Sequence, residues 1–300
     1  MVGFRTARIR QINLEIGEES LTTDMTGKVC IVTGGNSGIG YFAALGLAEM
    51  GAEVALVCRN AERGKEATEK IEKASGSKPR LFLADIGLMD DVRRVTAELN
   101  DAYPKVHVLL NNAGVLQRHR EENAEGRELT WAINHLGPFL LTNLLLDHIK
   151  AAGSARIVNV ASIAHKAGTI NFKDLEAKQK FRMRHVYSQS KLANVLFTKE
   201  LARRLDGTPV TANCLHPGVV ATNLFTGAVG FFAPIISLFL ISSEVGAYTS
   251  VYLATSPEVD GISGKYFARA ASAPTAAAAR DMDVAARLWQ VSEQMTGLAE

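Results

Sequence analysis

Cysteine is scarce in this chain, and scattered. Cys30, Cys58 and Cys214 sit far apart inside apolar runs with no Cys-x-x-Cys pair, which argues against a disulfide framework or a thiolate zinc site. Reduced thiols and a cytoplasmic setting are the expectation. The seven histidines show no metal-ligand spacing, so no metal is expected. An excess of either charge is nearly missing too: 33 basic against 31 acidic residues leave +2, no mark of a nucleic-acid partner. Long apolar runs are also lacking. The strongest, residues 228–241, is broken by Pro234 and too short to span a bilayer. Residues 1–26 carry Arg5, Arg8 and Arg10 without a continuous apolar segment, so they read as an extension, neither a signal peptide nor a transmembrane helix. No repeat or low-complexity linker divides the remainder, apart from alanines at 276–279.

What the chain does have is enough apolar material, 47% of 300 residues, arranged as strands alternating with helices. Residues 28–33 form a β-rich run, followed by Gly34-Gly-Asn-Ser-Gly-Ile-Gly40 and then a helical pattern over 41–50. Glycines let the backbone approach a pyrophosphate, and a helix amino terminus offers it unpaired N–H groups. Gly34, Asn36, Ser37, Gly38, Ile39 and Gly40 are therefore nucleotide-binding candidates, with a plain tight turn as the competing reading.

Residues 53–58 complete a strand-helix-strand unit. An NAD-selective site usually places an acid at the tip of this second strand, where this chain has Cys58-Arg59-Asn60 with Arg63 one turn on. The arginine fork suits a 2′-phosphate, so Arg59 and Asn60 point to NADP(H) in preference to NAD(H), with a solvated arginine at a strand end as the competing reading. Further strands are expected at 80–84, 106–110, 155–161, 210–215 and 262–267. Helices are expected at 61–75, 89–103, 127–152 and 183–205. Ligands of open α/β sheets lie beyond the carboxyl ends of the strands. Asp85 and Ile86 near an adenine, and Asn112, Ala113 and Gly114 along the cofactor, are the expected placements, with structural turn roles as the competing reading for each. The fold class is α/β: one doubly wound Rossmann domain, residues 27–300, with a seven-stranded parallel sheet flanked by helices.

Tyr187 and Lys191 lie at i and i+4 on one helix face. At ~4 Å and an effective dielectric of ~20 their interaction is about 4 kcal/mol, roughly three pKa units. A lysine there would bring a phenol into acid-base range. Ser162, at the end of the fifth strand, could bond a substrate carbonyl oxygen, though a serine there more often caps a turn. Asn134 precedes Gly137-Pro138, a break in a long helical pattern.

Taken in order, Gly34 to Gly40, Asp85, Asn111-Asn-Ala-Gly114, Asn134, Ser162, Tyr187-x-x-x-Lys191 and Pro217-Gly218 resemble the short-chain dehydrogenase/reductase family over roughly residues 27–270. Arg59-Asn60, Asn134-His-Leu-Gly-Pro-Phe139, Ser190-Lys-Leu-Ala-Asn194, the closing Ala286-Arg-Leu-Trp289 and the long insertion between Ser162 and Tyr187 are similar to its retinol-dehydrogenase-like branch. The resemblance departs at the amino end, where no membrane anchor is read. It implies that Tyr187 exchanges a proton with the substrate oxygen and Ser162 stabilises that oxygen. It further implies that Lys191 lowers the tyrosine pKa and binds the nicotinamide ribose, while Asn134 holds a relaying water. Pro217, Gly218, Val220 and Thr222 would lie along the nicotinamide.

Residues 225–241 fall where the family carries its substrate loop. They would wall an apolar pocket, with a core or oligomer helix and a membrane-surface helix as alternatives. The expected activity is interconversion of a hydrophobic alcohol and its aldehyde or ketone. A non-catalytic NADP(H) sensor or scaffold, or a light-dependent or double-bond reductase, are the rival readings. A homo-oligomer through helices at 125–152 and 183–206 is expected by analogy.

Overall fold

A computed structural model describes residues 23–218 and 242–298. The first strand, β1 (Val29–Thr33), is buried along its whole length. Its residues alternate between two cores, Val29 and Ile31 facing one side of the sheet and Cys30 and Val32 the other, as a period of two demands. The next elements are α1 (Gly38–Glu49), β2 (Glu53–Cys58), α2 (Ala61–Ser75), β3 (Arg80–Leu83), α3 (Met89–Ala102) and β4 (Val108–Asn111). Parallel strands buried on both faces read as near-continuous apolar runs, and β2 and β4 do so.

The long helical pattern expected at 127–152 is four pieces: α4 (Leu129–Trp131), a π turn (Ala132–Leu136), α5 (Gly137–Leu144) and α6 (Leu146–Ala151). Pro138 offers no N–H to the Asn134 carbonyl four residues back, and the wider turn absorbs that defect. Then come β5 (Ala155–Val160), a 3-10 turn (Ile163–Ala167), α7 (Met183–Arg204), β6 (Val210–His216), α8 (Ser243–Thr255), β7 (Tyr266–Ala268), β8 (Ala271–Ser272) and α9 (Met282–Thr296).

The sheet order is β3-β2-β1-β4-β5-β6-β7-β8. The seven expected strands are present and pair in parallel. The sheet has an eighth strand that the sequence reading lacked: Arg269 and Ala270 take positive φ, reverse the chain and lay β8 antiparallel on β7. The seventh strand also starts later than expected. Gly264 at φ +72° turns the chain, and the Asn213 side chain holds that turn through the Ile262 carbonyl (2.6 Å) and the Lys265 N–H (3.0 Å).

Helices α1, α2 and α8 cover one face of the sheet, with Leu47, Ile71 and Val251 in that core. Helices α3 to α7 and α9 cover the other, where Val92, Phe139, Leu196 and Trp289 meet. Trp289 of α9 packs 4.9 Å from Phe139 and 5.7 Å from Phe197, ring centre to ring centre, and Arg204 caps the indole at 4.1 Å. Helix α9 thus packs on α5 and α7. Among the described residues, no helix is long and apolar enough to cross a membrane.

Candidate active site

The strand order turns away on either side of β1 and β4, and such a switch point leaves a crevice at the carboxyl ends. Thr33 knits that crevice together. Its Oγ1 accepts from the N–H of Asn112 and of Ala113, both at 3.0 Å, and the Asn112 side-chain amide returns a bond to the Thr33 carbonyl at 2.8 Å. Gly34 and Gly38 hold φ of +66° and +55°, which favours glycine. A Cβ on Gly40 would overlap the Asn112 amide and the Gly34 carbonyl. The turn therefore carries bare backbone to the start of α1, where the side chain of the N-cap residue Ser37 makes no capping bond. Asn36 and Ile39 are partly exposed and Ser37 is exposed beside it. A side-chain-free cradle at a helix amino terminus fits a pyrophosphate.

At the ends of β2 and β3, an Arg59 guanidinium nitrogen lies 3.1 Å from an Asp85 carboxylate oxygen, with the arginine side chain 71% exposed. Asp85 is itself fixed: its other oxygen accepts from Gly87 N–H at 2.9 Å, and its own N–H donates to Asp91 at 3.0 Å. Asn60 is occupied in capping α2, accepting from Arg63 N–H at 2.8 Å. Ile86 is buried, its carbonyl lying so near Gly137 that only glycine fits there.

Four residues converge beyond β5. The Asn134 side chain in the π turn accepts from Val115 N–H (2.8 Å) and donates to Val115 O and Ser190 Oγ, both at 3.0 Å. Both its amide hydrogens are thereby used. Gly114 lies between Asn134 and Lys191: a Cβ there would sit 3.3 Å from Asn134 Oδ1 and 3.4 Å from Lys191 Nζ. Ser162 caps the 3-10 turn, accepting from Ala164 N–H at 3.2 Å.

The expected effect of lysine on tyrosine is not what the geometry produces. Lys191 Nζ is 5.7 Å from the Tyr187 ring centre and donates to Val160 O at 3.0 Å. Burial pushes the Tyr187 phenol up to about 12, with only the hydrogen bond to Ser162 pulling it down. Burial likewise lowers Lys191 to about 8. Loss of hydration outweighs charge attraction for both groups, because the i, i+4 spacing brings the ammonium beside the ring rather than to the hydroxyl.

The surrounding support was missed in the sequence. Asn111 donates to Thr142 Oγ1 (2.9 Å) and Asn159 Oδ1 (2.8 Å), and Asn159 donates to Thr198 Oγ1 (3.0 Å). This buried chain ties β4 and β5 to α5, which follows the π turn, and to α7, which carries Tyr187 and Lys191. Polar residues at the ends of two apolar strands were its only signal. The insertion after Ser162 is fastened by Gln189, which accepts from Asn171 N–H (2.8 Å) and donates to Leu175 O (2.9 Å). His165 anchors the 3-10 turn from beneath, its Nδ1 2.7 Å from Ser162 O.

Pro217 and Gly218 follow β6, with Gly218 at φ +93°. Val220, Thr222 and the 225–241 stretch lie outside the described residues, as does nearly all of the 1–26 extension. Among the described residues no cluster of His, Cys, Asp and Glu is arranged to hold a metal ion.

This arrangement of glycine turn, sheet and tyrosine-lysine helix defines a class. The family model for short chain dehydrogenases matches residues 28–229, and the chain belongs to that family of oxidoreductases. Within the family it is retinol-dehydrogenase-like. It is 40% identical to retinol dehydrogenase 14 of Homo sapiens, covering 99% of this chain and 92% of that protein. Identity to retinol dehydrogenase 13 of Homo sapiens is 42%, over 91% of this chain and 85% of that one. Among solved structures, an uncharacterized protein from Mycobacterium paratuberculosis matches with a TM-score of 0.76 at 32% identity, covering 92% of this chain and 96% of the other.

Proposed function

We propose that the protein is an NADP(H)-dependent oxidoreductase that interconverts a hydrophobic alcohol and its aldehyde or ketone, with Tyr187 as the acid-base group. Residues 27–300 act as one Rossmann-type domain in this reading. The observation that carries it is the Tyr187–Ser162 hydroxyl pair beside Lys191 and Asn134, at the strand ends where the glycine cradle also opens. The cradle would hold the pyrophosphate, Asp85 and Ile86 the adenine side, Arg59 the 2′-phosphate, and Asn112 to Gly114 with Lys191 the nicotinamide half. A bound nicotinamide supplies or accepts the hydride.

The chain's own residues do the rest. Ser162 bonds the substrate oxygen and orients it toward Tyr187. With its pKa near 12, Tyr187 is a neutral phenol at pH 7, the form that donates a proton to the carbonyl oxygen in the reduction and is regenerated when the alcohol is oxidised. Lys191, charged below about pH 8, draws the resulting phenolate charge. The apolar sequence of residues 225–241 and the likeness to retinol dehydrogenases support a bulky isoprenoid or aromatic carbonyl. A peripheral membrane contact or a cytoplasmic setting is compatible with such a substrate.

The test is oxidation of NADPH and of NADH by purified protein with a panel of aromatic and isoprenoid aldehydes and ketones, retinal included. Turnover with NADPH at least ~10-fold above NADH is expected. Tight NADPH binding without turnover across the panel would overturn the reading in favour of a sensor.

A further inference from the structure

Asn134 and His135 are neighbours in the π turn and face opposite ways. Asn134 reaches the site through Val115 and Ser190. His135 is buried on the other side against α9, its Nε2 2.8 Å from Ser292 Oγ. The Ser292 hydroxyl has one hydrogen and donates it to Leu288 O at 2.8 Å, so the imidazole must be the donor and carry its proton on Nε2. Burial lowers the His135 pKa to about 3, which keeps the ring neutral and the bond unchanged across the physiological range.

This bond is one of three contacts between α9 and the segment 127–139, which runs from the loop before α4 through the π turn into α5. Trp289 packs on Phe139, Ser292 meets His135, and the Arg127 guanidinium donates to Met295 O. As α9 advances, its partners recede along the helix, so the two run antiparallel with one tie near each end and His135 at the centre. The central tie falls on the π turn, the segment with the weakest backbone pattern of its own.

We infer that His135 is a positioning residue: pinned by Ser292, it fixes the π turn so that Asn134 stays on the Val115 backbone and closes the loop beside Lys191. Helix α9 thereby supports the reaction without touching substrate or cofactor. The effect on turnover rests on the function proposed above; the effect on Val115 does not.

The experiment compares the full-length protein with Ser292→Ala, His135→Ala and His135→Gln. Hydrogen exchange is followed at the Val115 amide, and kcat, KM and NADPH affinity are measured beside it. In Ser292→Ala the Val115 amide should exchange about tenfold faster, the equivalent of one ordinary hydrogen bond. Amides of β1 and β2 should be unchanged. Turnover should fall about tenfold with KM and NADPH affinity within about twofold, because Asn134 acts on geometry and not on binding. His135→Ala should show the same pattern, and His135→Gln, which restores an N–H donor, should recover most of the loss. Unchanged Val115 exchange in Ser292→Ala would overturn the inference, and so would acceleration spread evenly over the sheet, which is general destabilisation. Wild-type protein without turnover on any carbonyl would sink the proposed function while Val115 exchange still judges the pin.

Discussion

Lys191 Nζ stands 5.7 Å from the centre of the Tyr187 ring and bonds instead to the carbonyl of Val160 at 3.0 Å. The lysine is therefore governed by burial, and its pKa falls to about 8. Carbon-13 titration of Lys191 in nucleotide-free protein should give an apparent pKa near 8; a value of 10 or above would contradict the burial argument. Between pH 8 and 10.5 the unfolded chain keeps a proton that the folded chain has released. Folding thus becomes more favourable with rising pH across that window, by up to ~3 kcal/mol.

Tyr187→Phe should lower kcat by about a thousandfold while NADPH affinity stays within about threefold, because only the transferable proton is lost. Fluorescence titration with NADPH separates the two effects. Retained turnover would remove Tyr187 from the acid-base role.

Arg59→Ala should weaken NADPH binding about tenfold or more and leave NADH within about threefold. Its ion pair with Asp85 is exposed on the arginine side, and pairs open to solvent contribute at most ~1 kcal/mol, so the melting temperature should hardly move. An unchanged NADPH to NADH ratio would place phosphate recognition elsewhere.

Gly40→Ala drives a methyl into the Gly34 carbonyl and the Asn112 amide. A destabilisation of about 2 kcal/mol is expected from the forced backbone shift, and nucleotide affinity should drop about tenfold. Urea unfolding with NADPH titration checks both; wild-type affinity would show that the turn is not the cradle.

Acid should unfold the protein partly through His135, whose pKa is lowered to about 3 by burial. Below pH 6.5 the unfolded chain takes up a proton that the folded ring refuses, so stability is lost as pH falls toward 3, by up to ~5 kcal/mol. The His135→Gln variant should have a flatter stability curve between pH 6.5 and 3 in urea titrations. Identical slopes would show that other groups carry the acid sensitivity.

The alternating pattern of strands and helices was legible because burial on both faces leaves unbroken apolar runs, and residues 53–58 and 61–75 match their elements end to end. Boundaries set by tertiary contacts were not. The late start of β7 depends on the Asn213 side chain, about fifty residues earlier in the chain, and β8 on two non-glycine residues at positive φ. Asn134, Ser162, Tyr187 and Lys191 were all named from the sequence and the fold does gather them. Their spacing, however, could not show that the ammonium falls beside the tyrosine ring, nor that dehydration dominates both groups. His135 was read only as part of the Asn134 to Phe139 run and given no role, since a histidine within an apolar helix looks like core until Ser292, 157 residues on, is seen at 2.8 Å.

Helix α9 also bears on how the protein is made. It is the last helix described, and Trp289 is the lid on Phe139 and Phe197. Until it leaves the ribosome, a nascent chain holds an otherwise finished sheet with an open aromatic flank, the kind of surface that recruits chaperones and drives aggregation. Premature termination shortly before residue 282 should therefore give insoluble protein and not a merely slower enzyme.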